Sequence, residues 1–302
     1  MTSTNTSTNI FTTNIKLVIP TLGRVKNQQT YNSFPAKYRP FMYFVVRSHE
    51  AKEMRELYPK CNVVILPEEC PKGISPTRLF IFNYFKNDII YMCDDDLMFI
   101  ERLYVMVSKP DGTEKPKWTN RKFAETDFDI LYNNINAEIA DNKHWGGCVH
   151  AAVRPSISER NYPKNTNYRI YTNTYMNLPA LNNFWEDADF IKNFNDTQYT
   201  EDFYMNLVLF TKGFQNTCFT KHFVSEKQYA HGGCNESGRN LEIHNSSQRK
   251  VKALFPDFVR LNEKIMKSGP YKNKMKISII VYAKKSAKYG LKMLEESSKE
   301  TI

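Results

Sequence analysis

The sequence predicts an α/β fold organised on a mostly parallel sheet, with a basic C-terminal extension. Three observations carry that expectation. Four short apolar runs, Ile15–Pro20, Met42–Arg47, Asn62–Pro67 and Asp88–Cys93, are rich in Val, Ile, Tyr and Phe and too short for helices, which marks them as buried strands. Segments of helical spacing stand between them, and strands separated by helices pair in parallel through right-handed crossovers. A chain of 302 residues that is 41% hydrophobic and 25% charged has ordinary globular composition and can bury a core without disulfide staples.

In chain order, residues 1–14 are rich in Thr, Ser and Asn and are expected to form a disordered arm. His49–Tyr58 has helical charge spacing, and Ser75-Pro76 supplies an N-cap and first-turn proline for a helix over Thr77–Lys86. Asp127–Ala140 fits a helix, Gly147–Val153 a strand, and Tyr168–Asn177 alternates like a hairpin strand. A strong helix, FYMNLVLFTKG, opens at Thr200-Glu201-Asp202, with Thr200 as N-cap and Gly213 just past its end. Gln215–Glu226 reads as extended and His231–Asn240 as a glycine-rich loop. A helix from Ser247, a strand over Met275–Tyr282 and a basic helix from Lys284 complete the chain. No repeat or linker interrupts this order. The expected organisation is therefore one α/β domain over residues 15–245, with residues 246–302 a basic extension packed on it.

Composition narrows the function classes. No run approaches the roughly 18 consecutive apolar residues of a membrane helix, and the first residues lack the basic-then-apolar layout of a secretory signal. The expectation is a cytoplasmic protein with no membrane partner. Six cysteines without a CxxC pair suit reduced thiols. The net charge is +10, and from Asn245 onward 14 basic residues face 5 acidic ones, so the last fifth holds almost all the excess. Clustered cations attract nucleic acid and other phosphate-bearing surfaces, although a solvated basic face fits charge alone equally well.

The sharpest motif is Asp94-Asp95-Asp96, directly after the run IIYMC. Ligands of an open parallel sheet bind at the carboxyl ends of its strands, and three adjacent carboxylates repel one another unless a cation sits among them. Hard oxygen ligands suit Mg²⁺ or Mn²⁺, which takes one or two carboxylates plus substrate phosphates. Extended geometry aims Asp94 and Asp96 to one side and Asp95 to the other. The first strand ends in Pro20-Thr21-Leu22-Gly23-Arg24 at the same rim, and Arg78 is expected near it as either an ion-pair partner or a diphosphate clamp. Glu201-Asp202 at a helix start is favoured by the macrodipole, which also keeps a carboxylate ionised for general-base work. His231, before Gly232-Gly233-Cys234, is either a metal ligand or a loop histidine.

Together these residues resemble a GT-A-fold glycosyltransferase, in particular the DNA-base glycosyltransferases associated with TET/JBP-type dioxygenases in phages and fungi. The segments that carry the resemblance are Val18–Arg24, Ile65–Glu69, Ile74–Arg78, Ile89–Phe99, Thr200–Phe214 and Ala230–Arg239, spread over about residues 15–260. The resemblance implies that Asp94 and Asp96 hold the nucleotide-sugar and its Mn²⁺ or Mg²⁺, with Asp95 near the sugar or ribose. It places Thr21 and Arg24 over the nucleotide and Arg78 facing the base or diphosphate. Asp202 would be the acceptor-side base, with Glu201 its neighbour. A C-terminal histidine would complete the metal shell, with His231 the candidate and His222 and His244 as alternatives close by. The donor implied is a UDP-sugar, and the partner is DNA containing a hydroxymethylated pyrimidine.

For that partner, Lys272, Lys274, Lys276, Lys284, Lys285 and Lys288 are the candidate phosphate contacts. Trp145, Tyr168, Tyr171, Tyr175, Phe184 and Trp185 are either stacking platforms for an extruded base or core, and core is the commoner fate. A protein Ser/Thr or glycan acceptor would use the same donor residues with a different surface. A non-catalytic nucleic-acid-binding module would explain the charge and leave the Asp triplet idle.

Overall fold

The computed structural model describes residues 15–140, 146–151, 166–167, 174–181, 183–226, 240–268 and 271–300. Its first part comprises β1 (Ile15–Pro20), α1 (Gln29–Ser33), β2 (Met42–Val46), α2 (Ser48–Leu57), β3 (Asn62–Ile65), α3 (Ile74–Tyr84) and β4 (Ile89–Met92). There follow β5 (Leu97–Ser108), β6 (Glu114–Lys122), α4 (Glu125–Ala140), β7 (Gly146–Ala151), β8 (Thr166–Asn167), β9 (Thr174–Asn177), α5 (Ala188–Asp196), α6 (Glu201–Thr211) and β10 (Asn216–Glu226). The chain closes with α7 (Leu241–Leu254), β11 (Val259–Ile265), β12 (Met275–Val281) and α8 (Ala283–Glu300).

The main sheet runs β3-β2-β1-β4-β9-β7-β10-β5-β6, with β8 also on β10. β3, β2, β1 and β4 are parallel, as are β7 and β10. β9 is antiparallel to both of its neighbours, and β5, β6 and β8 extend the sheet antiparallel. Alternation along β1 shows why it is central: Ile15, Leu17 and Ile19 pack with Met54 of α2 and Phe128 and Leu131 of α4, while Val18 packs with Phe82 of α3, Leu207 of α6 and Val251 of α7. Helices thus cover both faces, as a parallel sheet requires. The strand order reverses at β1, so right-handed crossovers put α2 and α3 on opposite faces. The carboxyl ends of β1 and β4 meet at that switch point, where open α/β sheets bind their ligands.

Several boundaries differ from expectation. α3 begins at Ile74, so Ser75 lies inside it and caps nothing; Thr77 Oγ1 instead donates to the Gly73 carbonyl at 2.8 Å. Helix α7 starts six residues before Ser247, because Asn240 accepts from the Ile243 N–H at 2.9 Å and nucleates it. Thr200 precedes α6 as expected, but its hydroxyl donates to the Thr197 carbonyl at 3.1 Å rather than accepting from the helix. The other end of α6 follows the expectation: Gly213 takes φ +86°, and the N–H groups of Gly213 and Phe214 return to Phe210 and Leu209. Of the expected strand Tyr168–Asn177, the described part is β9, and Tyr168 and Tyr171 lie outside the described residues.

The C-terminal elements attach at both ends of α6, beside the packing of Val251 in the core with Val18 and of Phe255 on Tyr204. Ser247 of α7 donates to the Gln198 carbonyl, just ahead of α6, and α7 also carries the β11–β12 hairpin. α8 meets the opposite end of α6, where Gly290 lies against Phe210 and Gly213. Among the described residues, no helix is long and apolar enough to cross a membrane.

Candidate active site

At the end of β1 the chain turns through Gly23 at φ +71°, a left-handed conformation that glycine adopts without strain, and the Gly23 N–H donates to Glu50 Oε1 at 2.7 Å. The turn sends two side chains to the end of β4. Thr21 donates its hydroxyl to Asp95 Oδ2. Arg24 Nη1 lies 2.6 Å from Asp95 Oδ1 and 2.9 Å from Asp96 Oδ2. Gln28 Nε2 donates to Thr21 Oγ1 and to the Arg24 carbonyl, both at 2.9 Å. Thr30 clips the acidic turn from below: its Oγ1 donates to the Asp94 carbonyl at 2.5 Å and accepts from the Leu97 N–H at 3.0 Å. Gln28, Thr30 and Glu50 escaped the sequence reading because single polar residues outside any motif carry no spacing signal.

The Asp triplet is not extended as expected: Asp95 and Asp96 form a turn between β4 and β5, and Arg24 Nη1 reaches both, although burial still alternates. Asp95 is buried, while the side chains of Asp94 and Asp96 retain 34% and 21% exposure. Burial raises the Asp95 pKa, opposed by the Thr21 hydrogen bond and by Arg24. Burial works against the Arg24 charge, but Asp95 and Asp96 outweigh it and hold the guanidinium protonated. Thr21 and Arg24 are thus held against the acidic turn, at the rim where the resemblance placed them.

Arg78 joins this turn to α6. It is buried on α3, with Nη1 2.6 Å from Glu201 Oε1 and Nη2 3.6 Å from Asp94 Oδ1. Of the two roles left open, the geometry shows the ion pair. Tyr199, at φ +68° just before α6, is a non-glycine residue in the left-handed region, and such strain collects at functional sites. The Asp202 carboxyl is pushed up to about 7, first by burial and then by the charge of Glu201, against Arg78 and the N–H groups of Phe203 and of Asp202 itself. This corrects the expectation that the helix start keeps Asp202 firmly ionised: burial beats the macrodipole. A group titrating near neutrality is suited to taking up a proton in the reaction.

A divalent cation fits this chemistry. Asp94, Asp95, Asp96 and Glu201 carry four carboxylates against the guanidiniums of Arg24 and Arg78, leaving two negative charges before Asp202 ionises. No group of three or more His, Cys, Asp or Glu among the described residues is placed to hold a metal by itself. Two partly exposed oxygen ligands, Asp94 and Asp96, are what a Mg²⁺ or Mn²⁺ site completed by substrate phosphates asks of a protein.

The three histidines separate clearly. His244 Nε2 sits 3.0 Å from the Ile277 carbonyl, in the contact between α7 and β12. His222 is paired on β10 with Glu101, well down the strand from the Asp triplet. β10 ends with Glu226 opposite Leu97, next to Asp96, and His231 in the following segment lies outside the described residues.

All six candidate lysines are exposed, but they fall into two groups. Lys272, Lys274 and Lys276 belong to the hairpin end tied to α7, where Asn245 donates to the Met275 carbonyl at 2.9 Å and accepts from the Ile277 N–H at 2.8 Å. Lys284, Lys285 and Lys288 belong to α8, which meets the end of α6 remote from Asp202. Among the candidate stacking aromatics, Tyr175, Phe184 and Trp185 are core, and Trp145, Tyr168 and Tyr171 lie outside the described residues.

A family model described as TET-Associated Glycosyltransferase matches residues 15–233, which contain the whole rim from Thr21 to Asp202. No curated protein matches the chain. Among solved structures, one titled as the crystal structure of a mycobacterial protein is similar at 10% identity and a TM-score of 0.43, over 88% of this chain and 83% of that one. A likeness that distant bears on neither mechanism nor substrate.

Proposed function

The chain belongs to the TET-associated glycosyltransferase family, and from that premise we propose that it moves a sugar from a nucleotide-sugar, a UDP-sugar by resemblance, to the hydroxyl of a 5-hydroxymethylpyrimidine in DNA. The observation that carries the reading is the meeting of two sets of groups at the β1/β4 switch point. Asp94 and Asp96 keep partly exposed carboxylates at the rim, while Arg78 ties Asp94 to Glu201, beside Asp202.

Asp94 and Asp96 would hold a Mn²⁺ or Mg²⁺ against the donor's diphosphate, and the ion, when bound, offsets the negative charge that grows on the leaving group. Thr21, Arg24 and Gln28 lock Asp95, and through it the turn, so that the outer carboxylates are positioned before the donor arrives. Asp202 accepts the proton of the acceptor hydroxyl as that oxygen bonds to the anomeric carbon, which inverts its configuration. Arg78 keeps Asp202 from becoming too basic to be ionised at neutral pH.

Calorimetric titration of UDP-sugars tests the donor half. Binding is expected with Mn²⁺ present and is expected to vanish with EDTA or in Asp96→Ala. Equal affinity in all three conditions would remove the metal from the reading.

A further inference from the structure

The β11–β12 hairpin has one face on α7 and one face in solvent. Ile277 is fully buried, and Ile279 and Val281 pack inward with it. The register pairs Lys264 with Lys276 and Arg260 with Ile280, which places Arg260, Lys264 and Lys276 together on the outer face with Asn262 and Ser278 between them. All three cations are exposed, and none has an ion-pair partner among the described residues. The hairpin's single acid, Glu263, pairs with Ile277 on the inner face. Like charges directly across two strands are unfavourable, so the Lys264–Lys276 pair costs stability with no ion pair to offset it among the described residues.

We propose that this outer face, rather than α8, is the surface that holds the phosphate backbone of duplex DNA while a base is presented to Asp202. The inference rests on the acceptor reading above and names the surface that serves it. Arg260 and Lys264 stand four residues apart, about 14 Å along the strand, a spread that suits an extended polyanion and not a single phosphate, which needs converging donors. Lys267, Lys272 and Lys274 prolong the positive charge into the connecting turn. Two residues of α7 fix the position of this face relative to the site. Asn245 holds the start of β12, and Ser247 holds the Gln198 carbonyl, four residues before Asp202. α8 instead meets α6 at Phe210 and Gly213, the end of that helix away from Asp202.

The test measures binding of the full chain to a hydroxymethylated DNA duplex by fluorescence anisotropy over a range of salt, with thermal unfolding alongside. Reversing Arg260, Lys264 and Lys276 to Glu is expected to weaken binding about tenfold or more and to flatten the log–log salt slope by roughly three contacts. Reversing Lys284, Lys285 and Lys288 is expected to leave both nearly unchanged. Lys276→Glu alone puts unlike charges across the strands, so it should hold or raise the melting temperature while still weakening DNA binding. Loss of affinity in the α8 variant with none in the hairpin variant would overturn the assignment. So would a Lys276→Glu protein that is as stable as wild type and binds as tightly. A wild-type chain that ignores DNA, or prefers vesicles containing phosphatidylserine, would overturn the acceptor reading itself and this surface with it.

Discussion

Asp202 carries the most testable chemistry of any residue. With its carboxyl near 7, kcat/KM is expected to rise with pH through about 7, because the base must be unprotonated to act. Its folded-state pKa lies above the unfolded value of 3.8, so between about pH 4 and pH 7 the folded chain holds a proton that the unfolded chain has released, and stability falls as pH rises through that window. Asp202→Asn is therefore expected to lower turnover about 10²-fold or more with donor affinity intact, and to raise the melting temperature at about pH 8 more than at about pH 4. A variant with wild-type turnover would leave Asp202 as no more than a helix-start acid. Arg78→Met removes the cation between Asp94 and Glu201; leaving the buried Glu201 carboxylate without its cation should cost about 3–5 kcal/mol in urea unfolding. It should also move the pH midpoint of turnover upward, since the Arg78 charge is the foremost of the groups that lower the Asp202 pKa. An unmoved midpoint would separate Arg78 from the proton chemistry. The acidic residues were legible in the sequence because carboxylates cluster visibly, whereas their titration was not, because burial is a property of the fold. Gln28 illustrates the same limit: nothing local marks a glutamine that reaches both Thr21 and the Arg24 carbonyl.

Among elements, the four strands of the first 93 residues were readable because each is short, apolar and bounded by turns, with β1 matching its expected ends; α2 was readable from its charge spacing, whereas the short α1 was not expected. The β5–β6 hairpin was not expected, although Pro110-Asp111-Gly112 is a strong turn signal and Asp111 indeed caps Thr113, accepting its N–H at 2.9 Å. Among the described residues, β5 pairs with β10 as far as Glu101 and beyond that with β6 alone, so no single alternation runs through it. α7 was placed late for a related reason, since Asn240 looks like loop until its side chain is seen to accept from Ile243. The junction of α6 and α8 allows a direct test of packing. A Cβ on Gly290 would stand 2.1 Å from the Phe210 carbonyl oxygen and 2.6 Å from the Gly213 nitrogen, both backbone atoms that cannot move aside cheaply. Gly290→Ala is expected to cost about 1–3 kcal/mol in urea unfolding. A neutral result would mean that α8 is not seated on α6.

At the scale of the whole molecule, one topological fact organises the function: the strand order reverses at β1, so the turn after β1 and the Asp triplet after β4 open on the same crevice. α3 and α6 pack on one face of the sheet, and that places Arg78 and Glu201-Asp202 beside the triplet across more than a hundred residues of chain. The sequence could suggest each motif, but only the crossovers bring them together. The surplus of nine positive charges after Asn245 was equally plain, yet its division between a hairpin carried on α7 and a helix seated on the far end of α6 depends on where α7 and α8 pack. The most direct measurement of the central claim is mass spectrometry of nucleosides from hydroxymethylated DNA incubated with the protein, Mn²⁺ and a panel of UDP-sugars. The account expects the hydroxymethylpyrimidine nucleoside to gain the mass of one sugar residue, and expects no gain with Asp202→Asn. Unmodified nucleosides, with the same sugar appearing on protein Ser or Thr hydroxyls instead, would contradict it.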